Sequence, residues 1–431
     1  MDNKEAEILE KEIENCIGGG NLYDDTGLIP GFVKKADAVF EAHGFREESF
    51  GVKQILIVTQ NNLGDVILLS SMMRELRRNN PDAYITAIVS KAGYPYMRLC
   101  PYANEVHGSN IGFQQGNLYD DVQEIFEICR EYLWAKKIDV CFIPQWSQVS
   151  LKTKLFCYIS GARERIGFAE DGYSIYVKET NFDFGAENIN VLYSKAVYTP
   201  AEIIQEAARD LYLITEAGCD IKELRSEMWL SNEAAQKASV IIKERSKNKI
   251  PVALCVGSAE MTRKYPIEKW IEVIRGLSDR AVFFIIGGPI EEEDGAAIER
   301  SAPKDDAVCN LTGKLSVEES LAVIAAAELY LGNDTGMMHA AAASGRPIVA
   351  VFREAVDREE ILTGVLSEYR RFEPWQIPYI ALRPEHPLDD CGKSMIYGWC
   401  TVHDRPHCIT QVKSEEVIEA VNTAFKDFLK K

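Results

Sequence analysis

The chain has 431 residues, 46% of them hydrophobic and 10% aromatic, which is long for one ordinary domain and enough for two well-filled cores. Its 48 basic and 66 acidic residues leave a formal charge of −18, excluding the generally cationic surface that nucleic-acid binding demands; no nucleic-acid partner is expected. No apolar run approaches the roughly 20 residues of a membrane helix, and the acidic amphipathic start is unlike a secretory leader. The eleven cysteines, set in apolar contexts such as Ala253-Leu254-Cys255-Val256, read as small buried hydrophobes of a reducing compartment. The expectation is a cytoplasmic protein, with peripheral contact at the inner membrane face as the further step.

Residues 1–50 form a prefix with 12 acidic and 5 basic side chains. Ala6, Leu9, Ile13 and Cys16 or Ile17 recur at helical spacing and Gly18-Gly19-Gly20 stops the helix. A second helix is expected over roughly 31–43. The pair reads as helices packed on the main body, with a partner-binding arm as the sharper alternative. The run Gln54-Ile55-Leu56-Ile57-Val58 then has the unbroken apolarity of a strand buried on both faces of a parallel sheet. A Gly64-Asp65 turn, a helix over 66–78, a strand over 84–89, a helix over 118–137 and a strand over 139–144 follow. That alternation predicts a doubly wound α/β domain.

After a helical stretch over 201–246 the pattern restarts: strands over 251–256, 281–288, 329–331 and 347–352, with helices over 267–277, 316–327 and 336–344. The tail 414–431 reads as an amphipathic helix with Ser414 as its N-cap and Val417, Val421, Phe425 and Phe428 on one face. The expected organisation is a helical extension (1–50), a first α/β domain (51–225), a second (226–413) and a terminal helix (414–431). Ligands of such sheets sit beyond the carboxyl ends of the strands, so two such halves are expected to face each other across a cleft.

Four segments carry chemistry. In Asn61-Asn62-Leu63-Gly64-Asp65 the carboxylate of Asp65 either caps the coming helix or serves as a general base. Gly332-Asn333-Asp334-Thr335-Gly336-Met337-Met338-His339 brings backbone amides and the Thr335 hydroxyl to a helix N-terminus, a phosphate-binding arrangement, with His339 one turn in. Ser258, Arg263 and Lys264 lie in the loop after 251–256, where the hydroxyl and the forked guanidinium suit a diphosphate. Glu291 or Glu292, after Gly287-Gly288, suits ribose hydroxyls. Lys152, Lys154, Arg163 and Arg165 offer cations to an anionic acceptor, or a solvated face. Cys391, Cys400, His403, His407 and Cys408 are spaced loosely like a zinc knuckle, but no CxxC pair anchors them, and no metal is expected.

Together these segments resemble glycosyltransferase family 9, the heptosyltransferases of lipopolysaccharide core assembly, over most of 53–352. Ile55 to Asp65, Arg74-Glu75-Leu76-Arg77, Gly161 to Phe168, Asn310-Leu311-Thr312-Gly313-Lys314 and Gly332 to His339 carry the likeness. The resemblance implies a GT-B fold of two Rossmann-like domains and inverting, metal-independent transfer from an ADP-heptose-type donor to a glycan or glycolipid, with no cofactor. It implies Asp65 as the base, Asn62, Gly64, Lys152, Arg163 and Arg165 toward the acceptor, and Ser258, Arg263, Lys264, Glu291, Glu292, Asp334, Thr335, Gly336 and His339 toward the donor. Arg263 and Tyr265 stand where the family usually carries Lys and Trp, a change of charge geometry at the first. The alternatives are a relative using another nucleotide sugar for capsule, surface-glycan or protein glycosylation, and a binding protein without turnover.

Overall fold

The computed structural model describes residues 1–23, 25–47, 51–111, 117–145, 151–169, 186–357, 367–388, 402 and 404–431, all but the side chains of 186 and 187. The chain divides into two compact units, residues 1–203 with 208–223, and residues 204–207 with 224–431.

The first unit holds six strands, β1 (Gln54–Thr59), β2 (Tyr84–Ser90), β3 (Glu105–Ser109), β4 (Val140–Ile143), β5 (Glu164–Phe168) and β6 (Lys195–Val197). All are parallel, in the order β3-β2-β1-β4-β5-β6. Ile57, paired with Ala87 on one side and Phe142 on the other, sits at the centre. The second unit holds β7 (Ile250–Cys255), β8 (Ala281–Ile286), β9 (Val308–Asn310), β10 (Leu329–Asn333), β11 (Ile348–Val351) and β12 (Tyr379–Leu382). Its order, β12-β11-β10-β7-β8-β9, repeats the first when each unit is counted from its own first strand. Both are Rossmann-type sheets, each with a switch point where the winding reverses: between β1 and β4, and between β7 and β10.

The prefix helices, Asn3–Ile17 and Ile29–Ala42, share a core with the first sheet: Leu9, Ile13, Phe32, Phe40 and Phe45 pack in one cluster with Leu56, Phe156 and Tyr158. Their anchor is the turn before β5. Arg46 donates to the carbonyls of Gly161 (3.2 Å) and Ala162 (3.0 Å) and to Asp37 (2.7 Å). Gly161 holds φ +77°, and a Cβ there would lie 2.5 Å from the Phe45 ring.

Three expected elements differ. The helix over 66–78 is two, Leu63–Leu68 and Ser70–Asn79. The helix over 118–137 is regular only to Ile128 and ends in a wide turn and a short 3₁₀ segment. The stretch 201–246 is helical over Glu206–Thr215 and Asn232–Ser246 only. In the terminal helix, Ser414–Asp427, Lys413 holds the N-cap place; the Ser414 hydroxyl instead donates to Glu272 (2.5 Å). Among the described residues no helix is long and apolar enough to cross a membrane.

Candidate active site

In the second unit, functional side chains gather at the carboxyl ends of β7, β10 and β11. Asn333, the last residue of β10, ties the loops together: its amide donates to the carbonyls of Val256 (2.9 Å) and Gly257 (3.3 Å) and accepts from the Tyr265 amide (3.1 Å). Gly332 permits that approach, since a Cβ there would lie 2.7 Å from the Cys255 carbonyl. Asp334 follows, buried, with Thr335 in the N-cap place of the helix Gly336–Ala343.

Arg263, on a 3₁₀ turn after β7, reaches this point. Its guanidinium lies 3.4 Å from Asp334, 3.3 Å from Glu368 and 3.4 Å from Glu260. A second guanidinium, Arg353, follows β11. It grips Glu368 through Nη2 (2.7 and 2.8 Å) and Nε (3.1 Å), while Nη1 donates to Glu260 (2.6 Å) and Thr262 (2.5 Å). Burial pushes the Asp334 carboxyl up to about 6, against the pull of Arg263. Glu368 is also raised by burial, but Arg263 and Arg353 more than reverse this and hold it at about 2. His339, buried on the helix beside this cluster, is lowered to about 4 by burial and by Arg263. It is therefore neutral at pH 7, and its Nδ1 meets no hydrogen-bond partner among the described residues.

Ser258 accepts from the Glu260 amide (3.2 Å), half-buried in the same loop. Lys264 is turned aside, 3.3 Å from Glu291 and 3.4 Å from Asp294. The two glutamates separate clearly. Glu291 is buried, accepts from the Gly288 amide (3.0 Å) and packs under Gly257, whereas Glu292 is exposed beside Gly313. Arg353 and Glu368 escaped sequence reading because Glu368 lies 105 residues from Arg263 in the chain, and no local pattern marks either as buried.

In the first unit, Asn62 takes the N-cap place of the helix Leu63–Leu68, with Gly64 and Asp65 in its first turn. Asp65 is thus not the cap residue; it is half-exposed beyond the carboxyl end of β1. Two buried amides share this rim. Gln145, after β4, accepts from Thr153 (2.9 Å), and Gln60, after β1, has no side-chain partner among the described residues.

The four cations do not form one cluster. Lys152 faces Asp121 at 2.9 Å, and Lys154 is buried against the Tyr193 ring. Arg163 sits before β5, 3.6 Å from Asp139 before β4. It therefore lies at the amino ends of the strands, a strand's length (about 20 Å) from the rim that carries Asp65. Arg165 is buried, donating to the carbonyls of Leu192 (2.9 Å) and Ala162 (2.8 Å). Both arginines hold the sheet together instead of joining Asp65. Of the suspected zinc set, Cys391, Cys400 and His403 lie outside the described residues. The Cys408 thiol lies 3.5 Å from His407 Nδ1, and no group of three or more metal-binding side chains occurs among the described residues.

Two Rossmann-like units, each with polar groups at its switch point, define a protein of the GT-B class. Residues 147–363 match glycosyltransferase family 9 (heptosyltransferase). The chain belongs to that family and is a glycosyltransferase. It is 26% identical over 392 residues to lipopolysaccharide heptosyltransferase 1 of Campylobacter coli, covering 87% of this chain and 99% of that protein. Among solved structures it resembles a family 9 glycosyltransferase from Veillonella parvula, with a TM-score of 0.66 at 19% identity over 88% of this chain and 98% of that one. It also resembles the ADP-heptose lipopolysaccharide heptosyltransferase II of E. coli, with a TM-score of 0.61 at 17% identity over 86% and 98%.

Proposed function

We propose that the protein transfers a heptose from ADP-heptose, with inversion, to a glycan or glycolipid acceptor of the lipopolysaccharide-core type at the inner membrane face. The observation that carries this reading is the Asp334–Arg263 cluster at the β7/β10 switch point of a family 9 chain. A buried carboxylate beside a guanidinium suits a sugar hydroxyl next to a diphosphate: the acid accepts the hydroxyl and the forked cation meets the phosphate oxygens. Ser258 and the amides at Thr335 and Gly336 add neutral donors, and Glu291 faces the ribose. Similarity to the ADP-heptose lipopolysaccharide heptosyltransferase II of E. coli supports the choice of donor.

In this reading the acceptor hydroxyl attacks the anomeric carbon while the bond from that carbon to the diphosphate oxygen breaks. Asp65 takes the hydroxyl proton, and ADP leaves with its charge held by Arg263 and the amides. A single displacement inverts the anomeric centre, and Asp65 supplies the only proton transfer it needs. No metal or cofactor enters the scheme.

The test is a thermal-shift panel with ADP, UDP, GDP, CDP and ADP-heptose, joined to donor turnover by wild type and Asp65→Asn. A ligand at 100 times its Kd stabilises by about 2.7 kcal/mol. ADP and ADP-heptose should raise the melting temperature selectively, with the shift lost in Asp334→Ala and turnover lost in Asp65→Asn. Preference for UDP or GDP would replace the donor. Equal turnover by wild type and Asp65→Asn would remove the proposed base.

A further inference from the structure

Arg353 and Glu368 belong to neither the expected donor set nor the acceptor set, yet they form a close, multiply bonded ion pair. Arg353 directs all three guanidinium nitrogens to acceptors at 2.5–3.1 Å, three of the contacts on Glu368. Both side chains are only 13% exposed. The pair does not end there: Glu368 also lies 3.3 Å from Arg263, whose other edge lies 3.4 Å from Asp334. A line of alternating charge thus runs Arg353–Glu368–Arg263–Asp334, ending in the two groups assigned to the donor. A buried ion pair adds little net stability, but it fixes geometry well, because neither partner can leave without stranding the other.

We propose that Glu368, clamped by Arg353, is the positioning residue of the donor site: it sets the guanidinium of Arg263 against Asp334 before a nucleoside diphosphate arrives. The inference rests on the donor reading above. Without Glu368, Arg263 loses the carboxylate that holds it beside Asp334 and is free to swing to Glu260, its other counter-ion. On charge alone, removing a carboxylate tightens the binding of an anion. A positioning role predicts the opposite sign.

The acid side of the binding profile gives a second readout. Among the described residues, the charged or titratable groups around Asp334 are Glu260 and Arg263 from the loop after β7, Arg353 after β11, Glu368 on the helix Glu368–Phe372, Tyr330 on β10, and His339. Glu368 raises the Asp334 carboxyl and Arg353 lowers it. Removing one or the other must therefore move the acid inflection in opposite directions, whereas two merely structural lesions would not.

The experiment is ADP titration of the full chain by calorimetry from pH 5 to 8, for wild type, Glu368→Gln, Arg353→Met and the double variant. Glu368→Gln is expected to weaken ADP at least tenfold at pH 7.5 and to shift the inflection to lower pH. Arg353→Met is expected to weaken ADP similarly and to shift it to higher pH. The double variant buries a neutral pair, so it keeps the test open if a single variant does not fold; it should bind weakly with the inflection near that of wild type. Wild-type ADP binding together with equal or tighter binding by Glu368→Gln overturns the positioning role alone. Failure of wild type to bind ADP, UDP, GDP or CDP overturns the donor reading itself.

Discussion

Asp334 and His339 sit five residues apart and respond to burial in opposite senses. For Asp334 the folded protein binds the proton more tightly than the unfolded chain does. Its contribution to stability is full below pH 3.8 and is lost as the pH rises through about 6. His339 is the reverse: its contribution is full above pH 6.5 and is lost as the pH falls through about 4. Each is worth about 3 kcal/mol, and the two windows nearly coincide, so the native protein conceals both. Substitution separates them. Asp334→Asn should melt several degrees higher than wild type at pH 7.5, with the gain vanishing toward pH 4, although it loses donor binding. His339→Gln should remove the acid-side loss, so that its melting temperature relative to wild type improves as the pH falls from 6.5 to 4. Melting curves at half-unit pH steps read both. A stability gain accompanied by loss of binding is what a carboxylate held buried for a ligand implies.

Among elements, the turn at Gly161 ties the prefix to the first sheet. Gly161→Ala should lower the stability of that unit by about 2–3 kcal/mol through overpacking against Phe45, in addition to the strain at φ +77°; urea unfolding measures it, and the same substitution should cost less in a Phe45→Ala background, where the clash is gone. Deleting residues 1–47 removes Phe32 and Phe40 from Tyr158 and strips one side of the shared core, and should yield a chain that binds a hydrophobic dye and aggregates. The central strands β1, β2, β4, β7, β8, β10 and β11 were legible because burial on both faces demands unbroken apolar runs such as Ala281-Val282-Phe283-Phe284-Ile285-Ile286. β3, β5, β6, β9 and β12 were not, since they lie at or next to a sheet edge and are short, and sequences like Glu105-Val106-His107-Gly108-Ser109 are only half-buried. The same contrast applies to the site. Asp334 follows its strand directly and Asp65 opens the first helix after β1, so both stand out; Asn333, Arg353 and Glu368 acquire meaning only when distant loops meet. That Arg163 and Arg165 lie at the amino end of β5 was hidden for a related reason, because spacing does not tell which end of a strand a side chain occupies.

For the whole molecule, the division into two units with separate sheets makes a spatial prediction about ligand binding. If the diphosphate is held by the second unit, its protection against amide exchange should concentrate where β7, β10 and β11 end. Peptides covering 256–264, 332–339, 352–354 and 367–371 should slow when ADP is added, because their amides flank Asp334, Arg263 and Glu368. The strands β1, β2 and β4 already bond on both sides and should exchange through the opening of their own unit, at a rate ADP leaves nearly unchanged. In Asp334→Ala the protected segments should return to the unliganded rate while the rest of the map stays the same. Hydrogen exchange followed by mass spectrometry, with and without ADP, reads all of these peptides in one experiment. Slowing confined to 59–66 would instead assign the nucleotide to the rim that carries Asp65 and reverse the roles of the two units.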